Sequence, residues 1–249
     1  MKPVRDLQYQ DLAKYYDVVT QSRKYDREAR TLKRVISKFK ISGGKMLLDV
    51  GCGTGRHLAY LANDFDCTGL DLHEEMLSVA RKNVPKATFV QASMTEFHLS
   101  NKFDVILCMD SAIALVRTYR NLEKTVRNLS NHLKKGGIMI IDNESFFYSK
   151  SKRQYMNLLT AQTSDIKIAR VEYYRRKGKV LIEREDYMIA QRGKGIRHFA
   201  DLQYVGMFDL ERTMRIMEQA GLRPEFLKDA LHRGSGLLLG YKARASPAN

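Results

Sequence analysis

The stretch LLDVGCGTG at residues 47–55 constrains this chain more than any other. An apolar run carrying Asp49 breaks into three glycines, Gly51, Gly53 and Gly55, and a helical pattern follows from Arg56. Glycines in such a place let the backbone turn tightly, and let a ligand approach where a Cβ would block it. The exposed amides at the start of the helix can receive a carboxylate or a phosphate. The next strand-like run, CTGLD at 67–71, ends on Asp71, twenty residues after Gly51. An acid in that place accepts hydrogen bonds from the hydroxyls of an adenosine ribose. Loop, strand and acid at this interval predict a nucleoside lying across the carboxyl ends of the first two strands.

The remaining sequence supplies the sheet. Leu32, Val35, Ile36 and Phe39 recur at i, i+3, i+4 and i+7, so residues 25–39 read as an amphipathic helix, stopped by Ser42-Gly43-Gly44. Strand-like runs follow at 45–50, 67–71, 87–91, 103–109 and 137–142, with helical patterns between them at 73–83 and 121–134 among others. Apolar strands alternating with helices predict a parallel sheet covered on both faces. After Asp142 come three longer runs of mixed polarity, 166–176, 179–191 and 195–206, separated by Lys177-Gly178 and by Arg192-Gly193-Lys194-Gly195. Glycine turns between such runs predict an antiparallel meander. A last helix starts near Asp209, a suitable N-cap, and stops at Gly221; strands at 223–229 and 236–243 follow. The expected organisation is a core over 1–149, an inserted β lid over 150–206, and a return to the core over 207–249.

The glycine spacing selects the cofactor. The dinucleotide fingerprint G-x-G-x-x-G needs its third glycine at 56, where this chain has Arg56. That glycine serves close helix packing beside a pyrophosphate. The stretch from Asp49 to Gly55, D-x-G-x-G-x-G, instead resembles motif I of the class I S-adenosylmethionine-dependent methyltransferases. Asp71-Leu72 resembles their motif II, Ser93-Met94 falls in the loop expected to face the adenine, and Lys134 to Gly137 resembles the turn before their fifth strand. The resemblance implies a Rossmann-like, doubly wound, seven-stranded, mostly parallel sheet with an antiparallel β lid inserted after strand five. It implies S-adenosylmethionine as cofactor, with Asp49, Gly51, Cys52, Gly53, Gly55, Asp71, Leu72, Met76, Ser93, Met94 and Met109 around it.

A narrower likeness covers nearly the whole chain. GKGIRHFADLQYVGMFDLERTMRIMEQAGL, from 193 on, and RGSGLLLGYKA at 233–243 resemble the sugar-amine N,N-dimethyltransferases of macrolide biosynthesis, as do Tyr16-Asp17 and Arg23-Lys24. Those enzymes methylate nucleotide-linked deoxyamino sugars. The likeness implies an amine acceptor, with Tyr16 and Arg23 closing over the methionine end of the cofactor. Asp110 is expected either to orient the substrate or to cap the next helix, and His198 either to act as base or substrate ligand or to be structural. Arg197, His198 and Arg233 are the expected substrate contacts.

Charge bears on the partner. The chain of 249 residues has a formal net charge of +15, and residues 150–200 hold thirteen Lys and Arg against five Asp and Glu. A solvated surface and an anionic partner both account for that. RNA is disfavoured: no RNA-binding module is visible, and Met109-Asp110-Ser111-Ala112 stands where many base-amine methyltransferases carry Asn-Pro-Pro-Tyr. Cys52, Cys67 and Cys108 form no C-x-x-C pair, which predicts reduced thiols, no metal site and a cytoplasmic protein. No apolar run spans a bilayer, and MKPVRDLQYQ has no signal-peptide core. Monomer and homodimer both stay open.

Overall fold

Five parallel strands form the centre of the molecule in a computed structural model that describes residues 7–143, 154–231 and 235–243. They are β1 (Met46–Val50), β2 (Asp66–Asp71), β3 (Thr88–Gln91), β4 (Phe103–Cys108) and β5 (Leu133–Asp142). With β10 (Leu222–Lys228) and β11 (Gly236–Lys242) they make a seven-stranded sheet ordered β10-β11-β5-β4-β1-β2-β3, in which β11 runs against both neighbours. Alternating side chains feed two hydrophobic layers. Leu48, Val50, Ile106 and Met139 pack against α5 (Tyr119–His132) and α6 (Leu210–Gln219). Leu47, Val105, Leu107 and Ile138 pack against α2 (Tyr25–Phe39) and the single-turn α3 (Leu58–Leu61). Strand order reverses between β1 and β4, and in such sheets ligands bind outside the carboxyl ends at that point.

A second sheet, β6 (Gln154–Gln162), β7 (Ile166–Lys177), β8 (Val180–Gln191) and β9 (Gly195–Gly206), is antiparallel throughout. Gly178, at φ +62°, makes the two-residue turn between β7 and β8. The edge strand β6 is absent from the sequence reading, because its apolar Met156 and Leu158 point to solvent and mask the alternation. The N-terminal segment binds this sheet to the core. In α1 (Ala13–Val19), Tyr15 and Val19 pack with Ile168, Tyr187 and Ile189. Both Asp201 carboxylate oxygens accept backbone N–H groups, from Leu7 (3.2 Å) and Gln8 (3.1 Å). On the core side, Thr54 donates to Asp17 at 2.6 Å and Asn83 donates to its other oxygen at 2.9 Å. No helix among the described residues is long and apolar enough to cross a membrane.

Candidate active site

The carboxyl ends of β1 and β2 open into a cavity of about 510 Å³, within the size range of small-molecule sites. Gly51 and Gly53 line it at φ +72° and +53°. A Cβ on Gly51 would stand 2.7 Å from that of Ala112, so the loop admits only glycine there. Asp71, 8% exposed, accepts from Gly53 N at 2.8 Å and His73 N at 3.0 Å, one bond to each oxygen. A carboxylate has about four acceptor positions, so these bonds leave acceptor capacity that suits the hydroxyls of a ribose. Burial raises the Asp71 carboxyl, against the opposing pull of these amides. Burial also pushes the Asp49 carboxyl up to about 6, with His57 opposing and Asp71 adding to the rise. Leu72, Met76 and Met94 supply apolar walls for a base, and Ser93 a hydroxyl. A ribose acceptor, an apolar slot and cavity-facing carboxylates suit S-adenosylmethionine, whose methionine end and sulfonium bring positive charge.

A second cavity of about 330 Å³ adjoins the first, and Tyr9, Tyr16 and Asp110 line both. Asp110 and Ser111 hold left-handed backbone at φ 58° and 56°, a strained state for residues with a side chain. Asp110 N donates to Asp142 Oδ2 at 3.2 Å, while its carboxylate receives the Tyr16 hydroxyl at 3.3 Å and Arg23 Nη1. Arg23 also clasps Glu28 through two bonds of 2.9 and 3.0 Å. Burial raises the Glu28 carboxyl, but His57 and Arg23 outweigh it and hold the group at about 2. Burial and the Asp110 charge keep the Tyr16 phenol protonated; burial foremost does the same for Tyr9, aided by Glu183, Glu185 and Asp110. Both tyrosines are therefore hydrogen-bond donors rather than bases.

The far wall of the second cavity is the inner face of the four-stranded sheet, which carries acids and arginines side by side. Cross-strand neighbours Glu172, Glu185 and Asp201 form a buried acidic row. Arg170 pairs with Glu172 and lies 3.4 Å from Glu185. Tyr187 donates to Glu185 at 2.7 Å, and burial raises that carboxyl against the pull of Arg170. Lys167, Arg175, Lys177, Arg184, Arg192 and Lys194 are exposed on the outer face and turns. Strand alternation explains this, since residues 170, 172 and 174 share one face and 175 and 177 the other.

Among the expected cofactor residues, Tyr16, Asp49, Gly51, Cys52, Gly53, Asp71, Leu72, Met76, Ser93, Met94 and Met109 all line the first cavity. Gly55 does not. At φ +76° it packs against α4 (Glu74–Asn83), where an added Cβ would meet Val84 and Ala80 at 3.3 and 3.4 Å. Arg23 lines the second cavity rather than the first, its guanidinium engaged by Glu28 and Asp110. Asp110 lies at the junction and makes no helix cap. His198 is not brought to either cavity: its side chain is 62% exposed and meets Asp186 at 3.2 Å on the outer face. Arg197 faces inward but donates to Tyr15 and Gln191 and stacks over the Tyr15 and Phe199 rings, so it fastens α1 to the second sheet. Arg233 lies outside the described residues. The sequence reading missed Tyr9, Arg170, Glu183 and Glu185. Tyr9 sits in a segment without periodicity, whereas the other three were readable from the period-two alternation of β7 and β8.

This doubly wound fold, with a buried acid behind a glycine loop, is that of an S-adenosylmethionine-dependent methyltransferase. A methyltransferase-domain family matches residues 47–137. The dTDP-3-amino-3,4,6-trideoxy-alpha-D-glucopyranose N,N-dimethyltransferase of Streptomyces venezuelae is 30% identical over 236 residues, 94% of this chain and 98% of the relative. The crystal structure of Streptomyces venezuelae DesVI superposes with a TM-score of 0.83 at 30% identity, covering 94% of this chain and 99% of that one. CalS10, an amino pentose methyltransferase from Micromonospora echinaspora solved with S-adenosylmethionine bound, gives a TM-score of 0.80 at 26% identity, covering 94% and 97%. The chain belongs to the methyltransferase family that includes the nucleotide-linked amino-sugar N,N-dimethyltransferases.

Proposed function

We propose that this enzyme methylates the amine of a nucleotide-linked amino sugar held in the second cavity, with the four-stranded sheet as its lid. The observation that carries the reading is the junction: two cavities, one suited to the cofactor, meet at Tyr9, Tyr16 and Asp110. The substrates named for the relatives support the same class of acceptor. When bound, the cofactor supplies a methyl group on a sulfonium that leaves as a neutral sulfide. The chain's own task is then alignment of a nitrogen lone pair with that methyl group, and positioning carries most of such catalysis.

Charge distribution assists. Transfer moves one positive charge from the first cavity to the acceptor nitrogen, and Asp110, Glu183 and Glu185 line the side on which it arrives. Fixed carboxylates in a buried site stabilise charge that develops there. An amine entering as ammonium must first lose its proton, and the Asp110 carboxylate at the junction is the acceptor we assign. Tyr16, held protonated, orients that carboxylate. Incubation with labelled S-adenosylmethionine tests the reading on three acceptors: a dTDP-linked amino sugar, the free amino sugar and bulk RNA. The expected result is label in the nucleotide-linked sugar with N–CH3 in the product. Label in RNA alone would overturn it.

A further inference from the structure

The glycine loop of the first cavity has few backbone donors left for an anion. Gly51 N and Cys52 N donate to Leu70 O at 2.7 and 3.1 Å, Gly53 N to Asp71 at 2.8 Å, and Gly55 N to Cys52 O at 2.9 Å. The helix that follows, α3, is a single turn, too short to sum a macrodipole. An anionic group entering here is therefore met chiefly by side chains. The basic ones lining the cavity are Arg56, His57, His73 and Arg117. His57 Nε2 meets Glu28 at 2.8 Å, His73 stacks on Tyr9 with ring centroids 5.6 Å apart, and Arg117 Nε donates to Tyr204 O at 3.1 Å. Arg56 differs. The acid it meets, Asp17, stands 3.8 Å away and already accepts from Thr54 and Asn83. Its Nε is buried and has no hydrogen-bond partner among the described residues. A buried donor without a partner is rare in native structures and marks a place where a ligand or ion completes the bond.

Tyr25 fixes where that donor stands. Its buried ring lines the first cavity and carries the Arg56 guanidinium 5.1 Å from its centre and the Arg23 guanidinium at 5.3 Å. Arg23 reaches Asp110, where the two cavities meet, so Arg56 lies on the junction side of the glycine loop. Resting only on the cofactor's place in the first cavity, whatever the acceptor, we infer that Arg56 grips the carboxylate of the cofactor's methionine end. Arg56 thereby makes the enzyme selective for a cofactor that carries this group. With the base in the apolar slot of Leu72, Met76 and Met94, the methionine end falls on the side where Arg56 stands. A guanidinium presents a planar fork that matches a carboxylate through two parallel hydrogen bonds. Held over an aromatic ring, it is partly ordered before the ligand arrives, so little side-chain entropy is lost on binding. Arg23 then stays with Glu28 and Asp110, and each arginine serves one cavity. The role that the resemblance implies for Arg23 passes to Arg56, at the position where a dinucleotide motif needs glycine.

The test is calorimetry with S-adenosylmethionine and with decarboxylated S-adenosylmethionine, without acceptor, on the wild type, Arg56→Gln and Arg56→Lys. The two ligands differ only in the carboxylate. The wild type is expected to prefer S-adenosylmethionine by between about tenfold and a hundredfold, the range for a hydrogen bond to a charged group. Arg56→Gln is expected to lose that preference by weakening S-adenosylmethionine alone, while the decarboxylated ligand binds as before. Arg56→Lys keeps the charge without the fork and is expected to fall between the two. Binding of the decarboxylated ligand, together with the melting temperature, reports that the cavity is intact. Equal weakening of both ligands, or no change in either, would overturn the assignment of Arg56 and leave the cofactor's place standing. A wild type that binds neither ligand would overturn that place, and the assignment with it.

Discussion

The two cavities are built in different ways. The first is made of backbone and strand ends: glycines at positive φ, the Asp71 carboxylate tied to two amides, and apolar side chains on α4 and the loop after β3. The second is made of side chains drawn from an N-terminal segment, the strained turn after β4 and a separate antiparallel sheet. A cofactor common to many enzymes suits a site fixed by the parallel core. An acceptor that differs between enzymes suits a wall whose residues alternate freely on hairpin strands. The contrast teaches that binding of cofactor and acceptor should be separable by mutation, down to the charge of Asp110 where the cavities meet.

The largest expected effect falls wholly in the first cavity. Asp71→Ala should remove the two charge-assisted hydrogen bonds proposed to hold the ribose, each contributing about 1.5–3 kcal/mol, so cofactor affinity should fall by about a hundredfold or more. Calorimetry measures it, and an unchanged affinity would mean that the nucleoside lies elsewhere. A second effect follows from Asp49. Its carboxyl titrates near 6 in the folded protein, above its ordinary 3.8, so the unliganded fold loses stability as pH rises through that window. A cationic ligand favours the ionised form, so cofactor affinity should rise by up to about tenfold per pH unit below 6 and level off above it. Asp49→Asn should flatten that profile. A slope that persists in the variant would assign it to another group.

Smaller effects fall on the second sheet, away from both cavities. Arg197 fastens α1 to the second sheet, and Arg197→Ala should lower stability by about 1–3 kcal/mol, read by denaturant unfolding. His198 pairs with Asp186 at the exposed surface, so His198→Ala should change kcat and KM by less than about twofold. A tenfold loss of kcat there would restore the histidine to the reaction and break the division drawn above.

How much was legible in the sequence follows the same division. The core strands and α2 have period signals that local packing enforces, and Asp209 caps α6 by accepting from Arg212 N. The glycine loop and Asp71 are legible because they serve backbone geometry: the glycines take positive φ and the acid at the end of the next strand accepts the Gly53 amide. Gly55 was read as a ligand contact because spacing does not distinguish a glycine that admits a cofactor from one that admits a helix. The acceptor side was less legible. The net positive charge of residues 150–200 says nothing about which face carries it, and the alternation of β7 and β8 turns Glu172, Glu183 and Glu185 inward and many of the bases out. Tyr9 and α1 gain their positions from long-range contacts to Asp201 and Tyr187, which no local pattern announces.

The central claim is that Asp110 works on the acceptor at the place where the cavities meet. Asp110→Asn keeps the shape, retains one acceptor for Tyr16 and removes the charge. Cofactor dissociation constant and kcat/KM for a dTDP-linked amino sugar, measured on the same preparation, test it most directly. The account predicts a cofactor constant near that of the wild type and a loss of kcat/KM of about a hundredfold, the lower range for a positioned proton acceptor. Equal losses in both constants, or no loss in either, would contradict it.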